Sequence, residues 1–340
     1  MKRGLIYSFL SICLLIGCVD PIRLNTADTA GVLVVDGLVT NETGAYTVKL
    51  SRSITFDNSR PLRVFAVPEP GAVVSISDGE QTEQLIEKEP GVYVTATTQG
   101  VIGASYSVNI RTKDGKTFHS NPQKMLPVSP VDSIQYEYTI YDRFFINKNN
   151  VPKTEKAQGF NIYVYGTDPK GFGNNYRWEV EGIYEFFSVT DNPETKQCWV
   201  TLPRLESTLQ LSADALFDGG KFRQWLCVIL YERPTRYMVK IRQSSLTEEA
   251  YAFWKNSQGQ QTSSGSVFDP PPTVVVGNVV GDNGETTLGY FTVSALSRKN
   301  FLFNRFEASG FMTPSPKIIP QPGDCRNHVP GATNMRPEGF

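Results

Sequence analysis

Five cysteines, two histidines and thirty-four carboxylates are the chain's stock of reactive side chains. His119 follows Phe118 at an expected strand end, and His328 sits in a Pro-rich tail. Both read as surface residues, too few for a histidine-based metal site or catalytic base. Asp142, Asp168 and Asp191 are scattered through expected loops, so a paired acid site of the glycosidase kind would have to be assembled in space. No Walker loop, HExxH, paired CxxC or GxSxG elbow occurs. The glycine-spaced run Gly277 to Gly284 joins two expected strands and opens no helix, so it reads as a hairpin and not a phosphate loop. No catalytic residue, metal ligand or cofactor is expected on these grounds.

The chemistry that can be read locally lies at the beginning. Lys2 and Arg3 form a positive segment and Leu5 to Ile16 a short apolar one, the layout of an export signal. The apolar run is too short for an ordinary membrane-spanning helix. It ends in Leu15-Ile16-Gly17-Cys18, which resembles the lipobox of bacterial lipoproteins. In such a box the thiol of Cys18 becomes a thioether to diacylglycerol, and small Gly17 admits the peptidase. Cleavage then frees the Cys18 amine for a third acyl chain. Each buried CH₂ contributes about 0.8 kcal/mol, so several chains hold far more firmly than one. Residues 1–17 are therefore expected to be a signal peptide and 18–30 a lipidated tether. Val19 to Ala30 at about 3.3 Å per residue would reach up to ~40 Å from the membrane.

Export places the remaining cysteines where a disulfide can persist. Cys227 lies in the apolar run Trp225 to Leu230 and reads as a buried thiol. Cys198 and Cys325 lie in polar or turn-rich surroundings and are the preferred pair, though three thiols leave room for other arrangements.

Composition sets the frame for these groups. A net charge of -1 points to no nucleic-acid partner, and 40% hydrophobic with 20% charged residues suits a folded body. Short strands punctuated by turns begin at Gly31, and Asp78-Gly79 and Asp114-Gly115 are hairpin signals. Tyr106, Val108 and Ile110 alternate with polar neighbours, the pattern of a half-buried strand. The expected fold class is all-β: an N-terminal immunoglobulin-like sandwich over 31–128 and a larger antiparallel β domain over 129–313 carrying one α-helix. Pro122, Pro127 and Pro130 mark the boundary. Residues 314–340 form a Pro/Gly-rich segment that wraps the surface.

The helix is expected near 246–257. Ser245 and Glu248 have capping-box spacing, Leu246, Ala250, Phe253 and Trp254 share a face, and Gly259 is a stop signal. It reads as a brace packed on a sheet, with Tyr251 or Trp254 as the sharper alternative for gripping a partner. Tyr136 and Tyr138 lie on one face of an alternating strand and read as core. Tyr141, Arg143, Phe144 and Phe145, just before the polar Asn147-Lys148-Asn149-Asn150 loop, are the partner-binding candidates.

Taken in order, Ser245 to Trp254, Gly265-Ser266-Val267-Phe268-Asp269-Pro270, Gly277-Asn278-Val279 and Leu288-Gly289-Tyr290-Phe291 resemble a Bacteroidota outer-membrane lipoprotein family whose domain is classed as of unknown function, family 4249. Asp324-Cys325-Arg326 near the carboxyl end is similar to it too. Members often carry a second cysteine before the one matching Cys325 and often end in an aromatic pair. This chain has neither, which weakens any disulfide inferred from the family. The resemblance implies an outer-membrane location and an accessory or substrate-capture role beside a TonB-dependent receptor barrel, with the ligand unnamed. Surface lipoproteins of that phylum typically carry several acidic residues after the lipidated cysteine, and here only Asp20, before Pro21, stands there as a weak export signal; the cell-surface leaflet is expected with the periplasmic one as alternative. Asp28-Thr29-Ala30 and Asp132-Ser133-Ile134 resemble the O-glycosylation sequon of that phylum, making Thr29 and Ser133 the candidate acceptors. A non-enzymatic lipoprotein is the leading expectation, and a surface hydrolase acting on glycan or peptide is its rival.

Overall fold

The computed structural model describes residues 31–54, 66–149, 151–171, 174–202, 209–213, 218–262, 275–310 and 320–340. The expected signal segment, Cys18, the expected tether with Thr29, and the run 265–272 lie outside the described residues. The chain is mostly β. Strands β1 (Leu33–Thr40), β2 (Thr47–Ser53), β3 (Ala66–Pro68), β4 (Val73–Ser77) and β5 (Thr82–Gln84) come first. Then follow β6 (Ile86–Glu89), β7 (Val92–Val94), β8 (Ser105–Arg111), β9 (Thr117–Ser120) and β10 (Gln123–Lys124). The next group is β11 (Val131–Ile146), β12 (Pro152–Thr167), β13 (Asn175–Phe187), β14 (Gln197–Leu202), β15 (Gln210–Ser212), β16 (Lys221–Leu230) and β17 (Arg236–Leu246). The helix Glu248–Thr262 precedes β18 (Val279–Gly281), β19 (Leu288–Ser294) and β20 (Leu296–Asn304).

These strands make two sandwiches. In the first, a sheet of order β19-β1-β2-β7-β6 faces one of order β18-β9-β8-β4-β5. The alternation read in 105–111 is realised: Tyr106, Val108 and Ile110 are buried against Val35, Val48 and Phe118. At the β4–β5 turn the Asp78 carboxylate accepts from the amides of Glu80 and Gln81, and Gly79 takes a φ of 93° that a side chain would resist. In the second sandwich, β11-β12-β16 packs on β14-β13-β17-β20 around Phe160, Ile162, Trp178, Val239 and Ile241.

The expected division at 128 needs correction. Residues 279–294 belong to the first sandwich, because β18 pairs with β9 and β19 pairs in parallel with β1. Gly289 permits that parallel contact, since a Cβ on it would lie 2.1 Å from the Val35 carbonyl oxygen. Gly277 to Gly284 carries the expected hairpin turn at Asp282 to Gly284, closed by an antiparallel bridge from Val280 to Thr286, beyond which β18 and β19 go to opposing sheets.

One strand path thus serves both bodies. β19 closes the first sandwich, Ala295 is fully buried, and β20 continues into the second beside β17. Ser245 fixes the crossing. Its hydroxyl donates to the Leu126 carbonyl at 2.7 Å and accepts from the Ala295 amide at 2.9 Å. Its own carbonyl accepts from the Ser294 hydroxyl at 2.6 Å. Ser245 is therefore a strand residue and does not cap the helix. The cap is Thr247, whose Oγ1 accepts from the Ala250 amide at 3.2 Å. The helix also runs through Gly259, which faces open space; glycine there costs only about 1 kcal/mol against alanine. Ala250 is buried with Leu246 and Tyr290, the Phe253 ring lies 4.6 Å from that of Tyr290, and Trp254 lies 4.4 Å under the Arg177 guanidinium. The helix braces both sandwiches, because Tyr290 belongs to β19 and Arg177 to β13.

Cys198 and Cys325 are joined, with Cα atoms 5.8 Å apart across a separation of 127 residues. Both are fully buried beside Phe186 and Val200, so the polar flanks in the sequence misrepresent their surroundings. The bond pins residues 320–340, which also lay Phe340 over Ile183, Trp199 and Met238.

Two outcomes follow. Ser245→Ala leaves the Ala295 amide and the Leu126 carbonyl without their partner, and should cost about 2–4 kcal/mol in a denaturant titration. A chain lacking residues 1–17 and carrying Cys18→Ser, unfolded without reductant, should show one reactive thiol, Cys227, by thiol titration; three would contradict the bond.

Candidate functional site

β12 pairs with β16 only between Gly159 and Thr167. Beyond Gly159, β11 and β12 run on as a two-stranded ribbon from Ile140↔Gln158 to Ile146↔Pro152. Asn147 turns its end by accepting from the amides of Asn149 and Val151. Side chains alternate along β11, so Ile134, Tyr136, Tyr138, Ile140, Asp142, Phe144 and Ile146 share one face. The face begins as core. Ile134 is buried, Tyr136 stacks on Phe303 at 5.0 Å, and Tyr138 meets the edge of Phe160. β20 then ends at Asn304, and the same face continues bare: Ile140 is 56% exposed, Phe144 68% and Ile146 63%, with the Asp142–Lys156 ion pair between Ile140 and Phe144.

The four partner-binding candidates separate across the ribbon. Phe144 points from the bare core face. Tyr141, Arg143 and Phe145 are half-buried on the opposite face. Tyr141 packs over Gly159, and Arg143 lies 3.8 Å from Glu155 and 3.7 Å from Glu232. Ile140 and Ile146 complete the strip and escaped the sequence reading, although the alternation that places Phe144 also places them. The strip lies at the opposite end of the strand path from Gly31. β1 runs from Gly31 toward the crossing, where Thr40 pairs with Ser294, and β20 leads away from it to the ribbon's base at Phe303.

A second feature is a groove of about 450 Å³ over β13, β17 and β20. Glu179 stands opposite Arg242 and Arg242 opposite Arg298; Glu181 stands opposite Lys240. Glu179 pairs with both Arg177, at 2.8 Å, and Arg242, while Arg298 reaches Glu42 of the first sandwich. Burial pushes the Glu179 carboxyl up, but Arg177 and Arg242 outweigh it and hold the group below the usual carboxylate range. Such a carboxylate accepts hydrogen bonds and does not donate a proton near neutrality.

The acids that sequence left open do not meet. Asp142 pairs with Lys156 on the ribbon at 2.8 Å, Asp168 is buried against the Tyr176 hydroxyl, and Asp191 is exposed on a loop. His119 lies 3.1 Å from Asp282 in the first sandwich. Among the described residues no cluster of His, Cys, Asp and Glu could hold a metal ion. Ser133 is half-buried in β11 opposite Tyr165. No helix of the described residues is long and apolar enough to cross a membrane.

A family model described as Domain of unknown function (DUF4249) matches residues 19–300. The chain belongs to the DUF4249 family. No curated protein matches it. The DUF4249 match takes in both sandwiches, the strand crossing at Ala295 and the whole ribbon, and it stops inside β20.

The groove has a pH signature. Because the folded Glu179 carboxyl titrates below its ordinary value of 4.5, its stabilisation is complete above that value and is lost as pH falls through the folded one. Thermal melts from pH 7 down to pH 3 should show a steeper loss for the native chain than for Glu179→Gln, which should start lower at pH 7.

Proposed function

We propose that this DUF4249 protein is a non-enzymatic lipoprotein of the outer membrane, tethered through Cys18 and facing the cell surface. In this reading it serves a TonB-dependent receptor as an accessory or substrate-capture component. The observation that carries the binding role is the ribbon's bare core face. A two-stranded ribbon is marginal on its own in water, and this one holds large apolar side chains clear of the sheet that covers their neighbours. Burying each of Ile140, Phe144 and Ile146 against a partner contributes about 1.5–3 kcal/mol. A few such central residues suffice to dominate an interface. The strip's position, remote from Gly31, presents it away from the tether. The receptor itself is inferred from the family resemblance and from that placement.

The acidic side chains favour binding over hydrolysis. Glu179 and Glu181 share a groove but face arginine and lysine partners, and Glu179 is kept ionised. A general acid needs the opposite shift.

The test is affinity capture of the lipidated protein from detergent-solubilised membranes. The native chain should retain an outer-membrane barrel, and Phe144→Asp with Ile146→Asp should retain at least tenfold less. Recovery of the native lipoprotein with no barrel would overturn the reading.

A further inference from the structure

The sheet β11-β12-β16 has a second face, turned away from the core, that none of the above uses. A bulge between Ile162 and Tyr163 sets Ile162 opposite Cys227 but Tyr163 opposite Trp225. Leu226 and Cys227 both turn inward and are fully buried, and Trp225 is thrown outward. It is 37% exposed, while Trp178 and Trp199 are at 2% and 6%. Its indole N–H donates to the Asn161 side-chain oxygen at 3.0 Å, which fixes the ring and leaves its apolar surface as the group on offer.

The neighbours are set by register. Gln135, Tyr163 and Trp225 form one cross-strand row, and Glu137 and Asn161 stand side by side in the next. The Arg223 guanidinium lies over Tyr163, 3.6 Å from the ring centre, and holds Glu137 at 2.6 Å. An indole fixed by the Asn161 carboxamide thus shares this face with Gln135 and with the Arg223–Glu137 pair, so donors and acceptors both stand around it. Two-torsion aromatics of this kind provide contact area at low entropic cost.

We infer that this face binds a neutral polysaccharide. A pyranose ring offers an apolar C–H face to the indole and equatorial hydroxyls that both donate and accept, matching what the rim supplies. The face is open and continuous with the strand direction, so it suits an internal stretch of a chain. Arg223 is already neutralised by Glu137, so the site does not call for an anion. Nucleic acid is a poorer match, because its backbone needs unpaired cations. The inference does not depend on a receptor partner.

The test is affinity electrophoresis of the chain lacking residues 1–17 and carrying Cys18→Ser. Native gels would contain amylopectin, galactomannan, xyloglucan, yeast mannan or, as the acidic arm, polygalacturonate. At least one neutral polysaccharide should retard the protein. Trp225→Ala should weaken that binding at least tenfold, Trp225→Phe should recover much of it, and Phe144→Asp should change it less than twofold. Circular dichroism of each variant reports its folding independently of binding. The inference is overturned if no neutral polysaccharide retards the native chain, if folded Trp225→Ala binds as well as native, or if polygalacturonate alone binds and Arg223→Ala abolishes it.

Discussion

The hydrogen bonds of Ser245 with Leu126 and Ala295 are the constraint on which the remaining architecture rests. They hold a single strand path where it leaves one sandwich and enters the other, so neither body closes without the same buried segment. β19 supplies the edge of the first sheet and β20 that of the second. The helix then lies over the crossing, touching Tyr290 on one side and Arg177 on the other. Asn41 and Glu42 add a second tie from the β1–β2 turn to Leu296 and Arg298. A joint tied at several points transmits orientation, so the ribbon is held at a defined place relative to Gly31.

The second sandwich carries three distinct surfaces because its two sheets differ in extent. Where both sheets overlap, aromatic side chains form core. Where β11 and β12 outrun β20, the same face becomes an apolar strip. On the outer face of the longer sheet a bulge turns Trp225 to solvent, and on the outer face of the other sheet alternating charges fill a groove. The apolar strip suits a protein partner, since burying it removes large side chains from water. The tryptophan face, ringed with hydrogen-bonding groups, suits a hydroxyl-rich ligand. The groove is held together by its own ion pairs. A protein that captures a glycan and passes it to a membrane partner would use the first two surfaces together.

Much of this was legible in the sequence where the signal is local. Alternation at 105–111 and the Asp-Gly turns each act within a few residues, and each appears in the fold. Features set by distant chain were not legible. Ser245 and Glu248 have the spacing of a capping box, yet the hydroxyl is taken by residues 119 and 50 positions away. Nothing near β1 announces its parallel partner at 288–294. Alternation assigns Phe144 and Tyr136 to one face but is silent on where the covering sheet stops, and that stopping point leaves Tyr136 stacked on Phe303 and Phe144 bare. Trp225 was hidden in an apolar run because a bulge, which depends on the partner strand, decides its direction.

If the bare face of the ribbon meets a membrane barrel, as proposed, photocrosslinking in intact cells will trap that contact, with benzoyl-phenylalanine replacing Phe144 in one chain and Val67, an exposed residue of the first sandwich, in another. A covalent product is expected between position 144 and an outer-membrane barrel, and none from position 67. No product at 144, or the same products from both positions, would contradict it.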